Sequence, residues 1–108
     1  MSDLTIGVVG AGQMGNGIAH VAALTGYNVI LQDISLERIE HGMATIENNL
    51  ARQVKKGRIE EVVAKATLDR IFPTVDVEAF ERAQLVIEAA TENVELKFKI
   101  FENLSKVC

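Results

Sequence analysis

The feature that most restricts this chain is the stretch Ile6-Gly7-Val8-Val9-Gly10-Ala11-Gly12-Gln13-Met14-Gly15. A short β-branched run ends at a glycine. Two further glycines follow at the GxGxxG spacing, and a helical pattern begins at Gln13. The bare pattern is weak, and its context between strand and helix gives it meaning. Gly10 permits a tight turn, Gly12 lets a pyrophosphate approach the backbone, and Gly15 lets the helix lie close to the strand. The N–H groups at the start of the helix, over Ala11, Gln13 and Met14, then face the phosphates with the helix dipole behind them. The competing reading is a glycine-rich turn with no ligand. Gly17 is an additional glycine that serves either ligand approach or packing.

Around this turn the elements alternate. Leu4 to Val9 reads as a buried strand. Gln13 to about Thr25 reads as a helix with Met14, Ile18, Val21 and Ala22 at helical spacing, small residues Ala19 and Ala22 or Ala23 toward the sheet, and Gly26 as its stop. Asn28 to Gln32 is a second strand, with Val29 and Leu31 toward the core and Ser35 as cap of the next helix. Leu36, Ile39, Met43, Ile46, Leu50 and Val54 form one stripe on that helix, which runs for about five turns and is closed by Lys55-Lys56-Gly57. A returning helix carries Ile59, Val62, Val63 and Ala66. Ile71 to Val75 is a third strand, held to a sheet edge by Pro73. Asp76 caps a short helix through Phe80, Gln84 to Ala90 is a fourth strand, and Asn93 to Lys106 reads as a final helix.

This order predicts an α/β fold. A Rossmann-type doubly wound parallel sheet is covered on both faces, with a helical hairpin inserted between strands 2 and 3. The 108 residues make one domain, 1–108. Asp33 arrives 18 residues after Gly15, near the spacing of a ribose-binding acid. A carboxylate there accepts from both ribose hydroxyls and repels the extra phosphate of NADP. No arginine follows within the next four residues, so NAD is favoured.

The final helical segment holds a second clue. At about 100° per residue, Leu96, Val107, Ile100, Leu104, Phe101, Val94 and Phe98 cover a broad apolar arc, and Lys97 falls inside it. Either Lys97 meets a ligand or partner, or it snorkels outward from the first turn. Pattern alone leaves these even. Position favours a site, because Glu92 and Lys97 follow the fourth strand at the carboxyl edge, where the strand order reverses and ligands bind. Glu92 by itself reads as a solvated loop carboxylate. His20 reads as a partly exposed surface histidine rather than a catalytic one.

Composition excludes other classes. A net charge of −4 with no basic block beyond Lys55-Lys56-Gly57-Arg58 argues against nucleic acid. No apolar run approaches the roughly 18 residues of a membrane span. The N-terminus lacks a signal-peptide pattern, and the single cysteine, Cys108, forms no internal disulfide. A cytoplasmic chain is expected, or the mature form of a targeted one.

The blocks Gly10 to Ala19, Asp33, and Val86-Ile87-Glu88-Ala89-Ala90-Thr91-Glu92-Asn93 followed by Lys97 resemble the 3-hydroxyacyl-CoA dehydrogenases, of the bacterial 3-hydroxybutyryl-CoA dehydrogenase type. The resemblance implies an NAD-dependent oxidoreductase of fatty-acid or butanoate metabolism, interconverting 3-hydroxyacyl-CoA and 3-oxoacyl-CoA. It implies that Asp33 holds the adenosine ribose and that Glu92 and Lys97 approach the nicotinamide half. It implies an acyl-CoA substrate and a homodimer at full length. It also offers Arg52, Lys55, Lys56 and Arg58 as coenzyme A phosphate contacts, against the plainer reading of a solvated helix end. The family's histidine–glutamate pair and substrate-binding serine and asparagine lie beyond the point where this sequence stops. His20 and His41 match neither. No catalytic or metal-binding residue is therefore assigned, and the chain reads as an isolated or truncated cofactor domain that binds NAD and lacks full activity. Two alternatives remain: a 3-hydroxyacid dehydrogenase acting on free acids, and a non-catalytic dinucleotide-binding protein like the lens crystallin of this fold.

Overall fold

A computed structural model describes residues 4–89 and, for their backbone, residues 96–100. β1 (Thr5–Val9), β2 (Asn28–Gln32), β3 (Ile71–Thr74) and β4 (Leu85–Ala89) are parallel, and β5 (Leu96–Ile100) runs antiparallel on β4. The sheet order is β3-β2-β1-β4-β5, so the chain leaves β1 toward one edge and returns beside it as β4. That reversal opens a crevice above the carboxyl ends of β1 and β4.

The connections are α1 (Gln13–Thr25), α2 (Leu36–Lys55) and α3 (Glu61–Asp69), with a 3₁₀ helix at Val77–Arg82 before β4. The expected hairpin between β2 and β3 is α2 with α3. Its caps are local chemistry. Ser35 Oγ accepts the Arg38 N–H, and Gly57 turns the chain with φ 74°. Gly26 ends α1 at φ 122° while its N–H bonds back to Ala22 and Ala23.

The main core lies between the sheet and these three helices. Val8, Val29 and Leu31 face Ala19, Ala23, Ile39, Ile46 and Leu50. A smaller cluster of Ile30, Phe80, Ala83 and Val86 lies on the opposite face. Among the described residues only the 3₁₀ helix covers that second face, so the expected cover on both sides is lopsided here. The Phe80 ring fits there because Gly7 has no side chain: a Cβ on Gly7 would stand 2.5 Å from it. Pro73 sits on β3, an edge strand, as a missing donor requires.

Two readings change. The final helix over 93–106 is not what forms at 96–100, where the backbone is β5. Leu-Lys-Phe-Lys-Ile alternates with period two as well as fitting a helical arc, and pairing with β4 decides for the strand. The rest of that reading lies outside the described residues. On α1 the small residues Ala19 and Ala23 are buried against the sheet, as expected, with Ile18 and Ala22 half-buried beside them. Gly15, Asn16 and His20 are buried as well, while Val21 is 64% exposed. Small residues let this helix sink onto the sheet, which widens the buried arc.

His20 is the second reading to change. It is 8% exposed, not a surface residue. Burial holds its pKa below the ordinary 6.5, against a weaker opposite pull from the Gln53 side chain. Gln53 Oε1 is itself buried without a well-formed hydrogen bond. The unfolded chain takes up a proton at His20 as pH falls through 6.5, and the folded chain does so only at lower pH. Between those values the unfolded state binds more protons, so stability rises with pH across the interval and is level above it. Urea midpoints at about pH 5 and about pH 7.5 should therefore differ in the unmutated chain, and His20→Leu should shrink the difference. An undiminished difference in that variant would remove His20 from the account.

Candidate functional site: a cleft at the glycine turn

The turn between β1 and α1 is sewn to the end of β2. Gly10 takes φ 99°, which a side chain would strain, and its N–H donates to the Gln32 carbonyl at 2.7 Å. A Cβ on Gly10 would stand 2.9 Å from the Ala89 carbonyl oxygen, and a Cβ on Gly15 would overlap the Gly10 carbonyl. The three chain segments meet so closely that only glycine fits at two of the three motif positions.

Asp33 lies beneath this turn, 6% exposed. Its Oδ2 accepts the Ala11 N–H at 2.9 Å, and its Oδ1 accepts the Ile34 N–H at 2.7 Å. Each oxygen keeps one further acceptor site, as two vicinal hydroxyls need. The carboxylate also braces the turn, a duty that spacing along the chain does not reveal. It changes the part played by Ala11, whose N–H is spent on Asp33. Phosphate donors must come from the following residues. Gln13, Met14 and Gly15 open α1, where N–H groups have no intrahelical partner. Gly12 caps the helix with no side-chain hydrogen bond, and no acidic residue occupies the first turn. An anion there meets N–H groups and the positive end of the dipole without competition from a carboxylate.

Beside the turn is an open cleft of about 400 Å³, lined by Ala11, Gly12, Glu37, Arg38 and His41. α2 comes this close because of Gly42, where a Cβ would stand 2.7 Å from the Ala11 carbonyl oxygen. Neither Gly42 nor Arg38 stands out in the sequence. Arg38 is the fifth residue after Asp33, one beyond the four that contain no arginine.

The other expected residues stand apart. Lys97 is on β5 with its backbone opposite Glu88, and Glu88 pairs with Val9. It thus belongs to the carboxyl end of the sheet through a strand instead of a helix. Glu92 lies outside the described residues. Arg52 and Lys55 are on the last turn of α2, about 15–20 Å along the helix axis from Gly42, and Arg52 donates to Asn49 Oδ1 at 2.6 Å. Among the described residues no group of acids, histidines and cysteines could hold a metal ion, and no helix is long and apolar enough to cross a membrane.

The family model described as 3-hydroxyacyl-CoA dehydrogenase, NAD binding domain, matches residues 5–108. The chain belongs to this family. Its description names NAD as the bound cofactor, in keeping with Asp33 at the end of β2. Among relatives of this domain, the 3-hydroxybutyryl-CoA dehydrogenase of Bradyrhizobium diazoefficiens is 51% identical over 94% of the chain and 35% of its own length. The 3-hydroxyadipyl-CoA dehydrogenase of Escherichia coli is 41% identical over 96% of the chain and 22% of its own length. The solved (S)-3-hydroxybutyryl-CoA dehydrogenase of Ralstonia eutropha superposes with a TM-score of 0.81 at 42% identity, over 85% of this chain and 32% of that one. The chain thus spans about a third or less of the length of these relatives.

Proposed function

We propose that this chain holds NAD for an oxidoreductase that interconverts 3-hydroxyacyl-CoA and 3-oxoacyl-CoA. The observation that carries the reading is Asp33: a buried carboxylate, braced by two N–H groups, at the foot of the glycine turn. It orients the adenosine ribose with the acceptor site left on each oxygen. Gly10, Gly12 and Gly15, with the backbone of Gln13 and Met14, take the pyrophosphate at the start of α1, and Ala11 walls the ribose side. NAD bound there supplies hydride acceptance and donation, and this part of the protein positions it.

Glu92 and Lys97 serve the nicotinamide half. The register that sets Lys97 opposite Glu88, beside Val9, supports that place for the lysine. Proton transfer is left to residues outside these 108, so the chain alone binds NAD and turns over little or no substrate. At the length of its relatives we expect a cytoplasmic homodimer acting on acyl-CoA.

An NADH fluorescence titration of this chain, with and without acetoacetyl-CoA, tests the proposal. Saturable NADH binding with NADPH bound more weakly is expected. Absence of binding would overturn the cofactor reading, equal affinity for the two would count against Asp33, and measurable turnover would overturn the expectation of an inactive domain.

A further inference from the structure

Asp33 is hydrogen-bonded to one wall of the cleft, at Ala11. Its two oxygens are fixed by the Ala11 and Ile34 N–H groups, so the fold sets where its charge lies. The opposite wall is the start of α2, pressed onto the turn at Gly42. One and four residues before Gly42, on the same side of the helix, come His41 and Arg38, and both line the cleft with Ala11 and Gly12. The Ser35 cap fixes this turn through the Arg38 N–H, while the Arg38 side chain is exposed and has no partner among the described residues.

We propose that Arg38 is a specificity-determining residue: it attracts the 2′-phosphate that Asp33 repels, and so limits how strictly the domain selects NAD over NADP. This rests on the cofactor reading above. The guanidinium is a planar, positively charged fork suited to phosphate. Asp33 is bonded to Ala11, which lines the same cleft as Arg38, so a 2′-substituent on a ribose held by Asp33 comes within the cation's field. Glu37 lines the same cleft and opposes it. Two carboxylates against one guanidinium leave NAD preferred, by a smaller margin than Asp33 and Glu37 would set without Arg38.

The test is a set of NADH and NADPH titrations on the 108-residue chain and on Arg38→Ala and Arg38→Glu. Arg38→Ala should weaken NADPH about tenfold more than NADH, as loss of a charge-assisted phosphate contact does. Arg38→Glu should widen the gap further. The difference between unmutated chain and Arg38→Ala should shrink in high salt, which a packing effect would not do. The side chain is exposed, so the urea midpoint of Arg38→Ala should match the unmutated chain. NADH binding with an unchanged NADPH to NADH ratio, or with no detectable NADPH binding to the unmutated chain, overturns this inference alone. If the unmutated chain binds neither, the cofactor reading falls and the inference with it.

Discussion

Asp33→Asn should lower the stability of the ligand-free chain by about 3 kcal/mol and weaken NADH by roughly a hundredfold. The two effects have different sources. An amide of the same shape has one acceptor atom where the carboxylate has two. The Ala11 and Ile34 N–H groups each need an acceptor, at 2.9 and 2.7 Å. One of them must face the amide NH₂ instead, and at 6% exposure little water can reach it. That accounts for the stability loss, which appears without ligand. The affinity loss adds the ribose contacts and the loosened Ala11–Gly12 backbone. Urea unfolding without cofactor, beside an NADH titration, separates them. Unchanged stability with lost binding would mean that the carboxylate serves the ligand alone, and the brace to Ala11 would have no energetic weight.

The double use of Asp33 bears on what a cofactor domain can change. Removing its charge to admit NADP also undoes the brace on the turn. Arg38 and Glu37 carry no such duty, because they are exposed on the first turns of a helix already capped by Ser35. Selectivity for the dinucleotide can therefore shift through α2 while the turn and its acid stay as they are.

Much of this is legible in the sequence because the physics is local. A β-branched run, a glycine and a helical period fix β1 and α1, and Gly26, Ser35 and Asp76 mark element ends through hydrogen bonds to backbone groups within a few residues. Spacing alone points to Asp33, but its bond to Ala11 spans 22 positions and needs the parallel register of β1 and β2. Gly42 looks like one glycine inside a good helix. Its reason is a carbonyl 31 positions earlier, and no periodicity carries that. Arg38 escapes a count of residues along the chain, because it is the start of α2, packed beside the turn, that brings it to the cleft with Ala11. His20 misleads because an alanine- and glycine-faced helix buries more of its circumference than one faced with large residues. At 96–100 two periods overlay one another, and only pairing with β4 separates them.

Gly15→Ala should be the most damaging single methyl in the chain, at about 3 kcal/mol or more of stability with loss of measurable NADH binding. The added Cβ would overlap the Gly10 carbonyl, a backbone atom. Relief requires that carbonyl to move, yet Gly10 is held by its bond to Gln32 and by close approach to Ala89. The strain therefore passes into the turn that meets the pyrophosphate. Gly17→Ala is the matched control, two residues on in the same helix. A Cβ there meets nothing within 4 Å, so ordinary helix propensity governs, and the change should stabilise by about 0.5–1 kcal/mol. Opposite signs at Gly15 and Gly17 would show that close backbone approach, and not helical flexibility, is what the motif glycine provides. If both variants are stabilised, the turn yields where the structure says that it cannot, and the third glycine of the motif loses its steric explanation.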